Sequence, residues 1–81
     1  MKELGRFQAE VAKFTEHIGA TPQSQIAKFK EEITDAVLEE HTQGREYAME
    51  LTDVVIVALG LINCTGLNFE DLFDEKMRIN W

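Results

Sequence analysis

KFKEEITDAVLEEHTQGREYAMELTDVVIVALGL, residues 28–61, holds two runs of helical periodicity joined by a short polar break, and the reading of the remaining chain depends on it. Beginning just upstream at Ile26, apolar residues recur at Phe29, Ile33, Val37 and Leu38, the three- and four-residue spacing of one helix face. The acidic residues lie mostly off that stripe. The pattern fades between His41 and Gly44, and a second run begins at Arg45. From Val54 to Leu61 that run is apolar almost all round, which predicts a central helix enclosed by several neighbours. The Val54 to Leu61 stretch is too short to cross a bilayer and reads as core.

Working outward, Leu4, Phe7, Val11 and Phe14 form a helical stripe over Lys2 to His17, and Gly19 is placed to end that helix. Thr21 followed by Pro22 opens the next one: the hydroxyl can accept from an orphan N–H, and proline tolerates the first helical position. Gly66 closes the central helix after Thr65. Asn68, with Asp71 three residues on, caps a fourth helix through Leu72, Phe73, Met77 and Ile79. The expectation is an all-α four-helix bundle forming a single domain over residues 1–81. Phe7, Phe29, Phe69, Phe73 and Trp81 read as core, and Phe14 as the one aromatic available to a ligand.

A domain of 81 residues buries a limited share of its surface, so a homo-oligomer, dimer or tetramer, is expected to supply the missing core. The formal charge of −7 and the absence of a basic patch exclude a protein that coats a nucleic acid polymer. An acidic chain can still bind phosphates through a divalent cation that reverses the local sign. The single cysteine, Cys64, cannot form an intramolecular disulfide, and MKELGRFQAE lacks the apolar stretch of a secretory signal. These features point to a cytoplasmic protein without a membrane anchor. Cys64 reads as packing, and His17 and His41 as cations near helix ends.

Glu32 and Asp35 are three residues apart, Glu31 and Asp35 four apart, and Glu50 and Asp53 three apart, so each helix carries carboxylates on one side. Like charges at this spacing cost a few tenths of a kcal/mol per pair, roughly, on an exposed helix. Glu50 and Asp53 stand at the entrance to the most apolar run of the chain, where unpaired carboxylates are expensive to bury. A hard cation with oxygen ligands, Mg²⁺ with Mn²⁺ as substitute, removes that cost. The bland alternative is an acidic surface.

Glu31-Glu32 with Asp35, followed after one short turn by Glu50 and Asp53, resembles the paired acidic motif of the MazG-like all-α nucleotide pyrophosphohydrolases. The third acid of the first motif is usually glutamate there and is Asp35 here. The resemblance extends over nearly the whole chain, taking in Gly19 to Pro22, Lys28, and the tail Lys76-Met77-Arg78-Ile79-Asn80. Phe14 to Pro22 is similar to the phage and bacterial subgroup acting on dATP and dGTP. Relatives continue past the tail asparagine with further basic residues, which leads to the expectation of a chain shortened at its C-terminus.

The resemblance implies metal-dependent hydrolysis of a nucleoside triphosphate, a purine deoxynucleotide such as dGTP or dATP, to the monophosphate and pyrophosphate. It implies metal ligation by Glu31, Glu32, Asp35, Glu50 and Asp53, with Glu31 and Glu32 as the catalytic carboxylates and Glu31 the candidate base. Lys28, Lys76 and Asn80 are the implied phosphate contacts, and Phe14 the implied base contact. The competing reading is a noncatalytic helical oligomerisation or nucleotide-binding adaptor module.

Overall fold

The four helices end where local chemistry ends them. The computed structural model describes residues 2–81 and contains α1 (Lys2–His17), α2 (Pro22–Leu38), α3 (Arg45–Thr65) and α4 (Phe69–Asn80), with no strand among the described residues. Gly19 and Gly66 both adopt left-handed backbone, φ 66° and 75°, at the ends of α1 and α3, where a Cβ would be strained. Thr21 Oγ1 accepts from Ser24 N–H while Ser24 Oγ accepts from Thr21 N–H, a reciprocal box that opens α2 ahead of Pro22. Asn68 Oδ1 accepts from Asp71 N–H at the start of α4.

α2 packs along α3 as an antiparallel hairpin: Gln25 Nε2 reaches Cys64 Sγ near one end, and Glu32 meets Asp53 towards the loop. α1 lies against α3, and α4 packs principally on α1. The joint between these three helices is polar. Gln8 Nε2 donates to Asn63 Oδ1 at 2.8 Å and to Leu67 O at 2.9 Å, and Gln8 Oε1 accepts from Phe69 N–H at 2.8 Å. Asn63 Nδ2 returns a bond to Gln8 O at 3.2 Å. One glutamine therefore ties α1 to the end of α3 and the first residue of α4.

Several core assignments are corrected by this packing. The face that α2 turns inward is Gln25, Glu32 and Ala36, all buried, whereas Ile26, Ile33 and Val37 of the apolar stripe are exposed. α3 is the central helix by its packing against both α1 and α2, yet it is not enclosed: Leu59 and Gly60 are buried while Leu51 and Val55 are exposed. Phe7 is exposed and Trp81 is 94% exposed, so neither is core within one chain; Phe29, Phe69 and Phe73 are half-buried. Cys64 is exposed on α3 rather than buried in a core, with its sulfur against Gln25 and Gly60. The physical reason is common to all these cases. Four short helices arranged in a flat body, 37 × 33 × 19 Å, have too few neighbours to cover every apolar stripe.

α3, 21 residues long and containing an 18-residue stretch with a mean hydropathy of 1.6, is the one helix among the described residues long and apolar enough to cross a membrane.

Candidate metal centre

The hairpin of α2 and α3 brings the two acidic pairs together. Glu32, Glu50 and Asp53 each offer a carboxylate oxygen within 4.8 Å of the others, and so do Glu31, Glu32 and Asp35. Glu32 belongs to both groups and is the most enclosed acid of the set, 5% exposed; Asp35 and Glu50 are half-buried, and Glu31 and Asp53 are exposed. The helical repeat explains the convergence: 32 and 35 on one helix, and 50 and 53 on the other, each stack on one side, and the antiparallel crossing turns the two sides toward each other.

Lys28 is the cation beside this cluster. Its Nζ lies 2.9 Å from Glu32 Oε1 and 3.4 Å from Glu31 Oε1. The hydrogen bond it donates to Glu32, then the charges of Glu31 and Glu32, raise the lysine above its usual range. Glu50 is pushed up from the ordinary carboxylate range, first by burial and then by the charges of Asp35, Asp53, Glu32 and Glu39. A buried carboxylate shared by two converging triads, with all donors hard oxygens, fits Mg²⁺ or Mn²⁺.

A cavity of about 470 Å³ opens beside the acids, between α1, α2 and α3. Phe14, Ile18, Ile56 and Val57 give it apolar walls, and Lys28, Glu32 and Asp53 lie on its border. Phe14 is thus brought to the acids, 52% exposed and free to meet a ligand face. Lys76 and Asn80 are not. Both are exposed on α4, which packs on α1, and neither lines the cavity or approaches the carboxylates.

Gln25 is a cavity residue that the sequence reading passed over. It is 8% exposed, and its Oε1 has no hydrogen-bond partner. The one signal in the sequence is its spacing: Gln25 stands seven residues before Glu32, two helical turns on the same face, and only the fold places Gly60 opposite it.

No known protein family, curated protein or solved structure matches this chain.

Proposed function

We propose that this chain is a MazG-like, metal-dependent nucleoside triphosphate pyrophosphohydrolase, acting on a purine deoxynucleoside triphosphate such as dGTP or dATP and releasing pyrophosphate. The observation that carries the reading is the position of Glu32: buried, shared by two carboxylate triads, and at the border of a cavity of small-ligand size. Glu32, Asp35, Glu50 and Asp53, with Glu31 at the exposed edge, are the residues that would hold Mg²⁺ or Mn²⁺. When bound, such an ion supplies charge neutralisation at phosphate oxygens and a lowered pKa for water.

The chain's own residues divide the remaining work. Glu31 is exposed beside the buried Glu32, which leaves it accessible to the attacking water as proton acceptor. Lys28, paired with Glu31 and Glu32 at the edge of the acids, would be within reach of phosphate oxygens if those carboxylates held a cation, and would offset their charge. Phe14 covers the base from the rim of the cavity.

The working form in this reading is a cytoplasmic homo-oligomer. Its support is the outward stripe of Ile26, Ile33 and Val37, together with exposed Phe7, Leu51 and Val55, an apolar surface unusual for a monomer in water. The apolar length of α3 belongs to that same interface rather than to a bilayer, because Glu50 and Asp53 lie within the helix and engage α2. Lys76 and Asn80, which do not line the cavity of their own chain, serve the carboxylates of a neighbouring copy.

The outward stripe also favours a second reading, a noncatalytic oligomerisation or nucleotide-binding module. The test of both is pyrophosphate release from a panel of ribo- and deoxynucleoside triphosphates with Mg²⁺ or Mn²⁺. Metal-dependent turnover that Glu50→Gln and Asp53→Asn each abolish is the expected result. A folded oligomer that turns over none of the panel leaves the module as the better account.

A further inference from the structure

We propose that Gln25 is the specificity-determining residue of the cavity beside the carboxylates, its side-chain oxygen accepting from an N–H on the edge of the substrate's base. This rests on the pyrophosphohydrolase reading above and deepens it. Cys64 favours one orientation of the amide through its contacts. Its thiol donates to Gly60 O at 3.4 Å, so Sγ is left to accept, and Gln25 Nε2 faces it at 3.5 Å. Oε1 is then the free atom, held without a partner against Gly60, where the lack of a side chain makes room: a Cβ there would collide with it.

The other polar groups nearby are engaged. Ser24 Oγ donates to Thr21 O and Thr15 Oγ1 donates to Ala12 O, while Lys28 is held by Glu31 and Glu32. A buried acceptor without a donor favours a ligand that brings one. Oε1 rests against Gly60, outside the cavity wall, so meeting a base requires the amide to turn about its soft outer torsion and give up the long contact to Cys64 Sγ, 3.5 Å, which the ligand's N–H would offset. Gln25 and Glu32 are two helical turns apart, about 10 Å along the axis, which suits a ligand with its base at Gln25 and its phosphates at the acids.

The chemistry of the recognised base follows. It must present an N–H, whether an exocyclic amino group or a protonated ring nitrogen, and a base edge made only of acceptors is disfavoured. Adenine and guanine qualify, as do cytosine through its amino group and thymine through its ring N–H; unsubstituted purine, which carries no N–H once attached to its sugar, does not.

The experiment compares kcat/KM for dATP, dGTP and purine 2′-deoxyriboside triphosphate with Mg²⁺, in the wild type and in Gln25→Met, a change of similar length. A second measurement follows the side-chain amide resonance of Gln25 by NMR in the wild-type protein, titrated with deoxyadenosine and with purine 2′-deoxyriboside and no metal. The expected result is a preference for the N–H-bearing substrates of about tenfold or more, with the ratio falling toward one in Gln25→Met. Turnover of all three at similar rates overturns the assignment and leaves the hydrolase reading intact. If no triphosphate is hydrolysed, the hydrolase reading falls and the titration decides: a Gln25 shift specific to deoxyadenosine supports the assignment, and equal or absent shifts overturn it.

Discussion

Lys28 Nζ lies 2.9 Å from Glu32 Oε1, so an ammonium occupies the edge of the carboxylate cluster that a divalent cation would enter. The pairing keeps a buried acid tolerable in the metal-free protein, and the lysine then competes with any ion that replaces it. Two opposite effects on one side chain give this relationship its use as a test.

Lys28→Ala is expected to lower the melting temperature of the metal-free protein and to tighten Mg²⁺ binding, by about three- to tenfold, an effect on the order of 1 kcal/mol. Calorimetric titration of Mg²⁺ into both proteins measures it. Weaker binding in the variant would mean that the lysine does not compete with the ion.

The pH dependence of stability follows from Glu50. Its pKa in the folded protein is raised above that of the unfolded chain, so the protonated carboxyl is the form that folding prefers. Its contribution is fully present below the ordinary glutamate value of 4.5 and is lost as pH rises through the elevated folded value. The metal-free protein is therefore expected to melt higher at mildly acidic than at neutral pH. Saturating Mg²⁺ should flatten that slope while stabilising the fold by about 2.7 kcal/mol at a hundredfold excess over Kd. Glu50→Gln should lose both the slope and the Mg²⁺ gain, as read by thermal melts across a pH series.

Gln8→Ala removes three side-chain bonds that join α1 to Asn63, Leu67 and Phe69. Leaving those partners short of a bond costs about 1–3 kcal/mol each where they are buried. Because they are part-buried or exposed, the expected total is about 2 kcal/mol, or a fall in Tm of roughly 8–16 °C for a domain of this size. α4 should loosen first, which amide hydrogen exchange at Phe69 to Phe73 would reveal. Uniform exchange loss over all four helices would contradict this.

Ile33→Asp together with Val37→Asp places charge in the outward stripe of α2 while leaving the buried face of Gln25, Glu32 and Ala36 untouched. If the stripe is covered by a second copy, the variant should sediment as a monomer yet keep its helical content. Covering each such side chain is worth about 1.5–3 kcal/mol, enough to dissociate a modest interface. An unchanged oligomer would put the interface elsewhere.

The carboxylate site was legible because its spacing is a local property. Three-residue intervals in Glu32/Asp35 and Glu50/Asp53, on helices joined by a short loop, leave an antiparallel hairpin few ways to keep them apart. The placement of Lys76 and Asn80 was not legible in the same way, since their four-residue spacing fixes their common side of α4 and says nothing of where α4 lies. Gln25 was passed over for another reason. A lone glutamine in a helix looks like solvent-facing polarity until the partner face, with Gly60 opposite, is known.

Sequence by itself determined the four helices and most of their ends, since caps such as Thr21 with Ser24, Asn68 with Asp71, and the left-handed Gly19 and Gly66 act within a few residues of backbone, whereas α2 stops at Leu38, short of the break at His41 to Gly44. Only the tertiary structure decided which face of each helix turns inward. Periodicity locates an apolar stripe and implies that something must cover it, but the choice between the chain's own helices and another surface depends on how many neighbours the fold supplies. Here α3 receives the polar face of α2, burying Gln25 and Glu32 and leaving Ile26, Ile33 and Val37 outside, and that rotation turns a row of acids into a candidate metal centre beside a cavity.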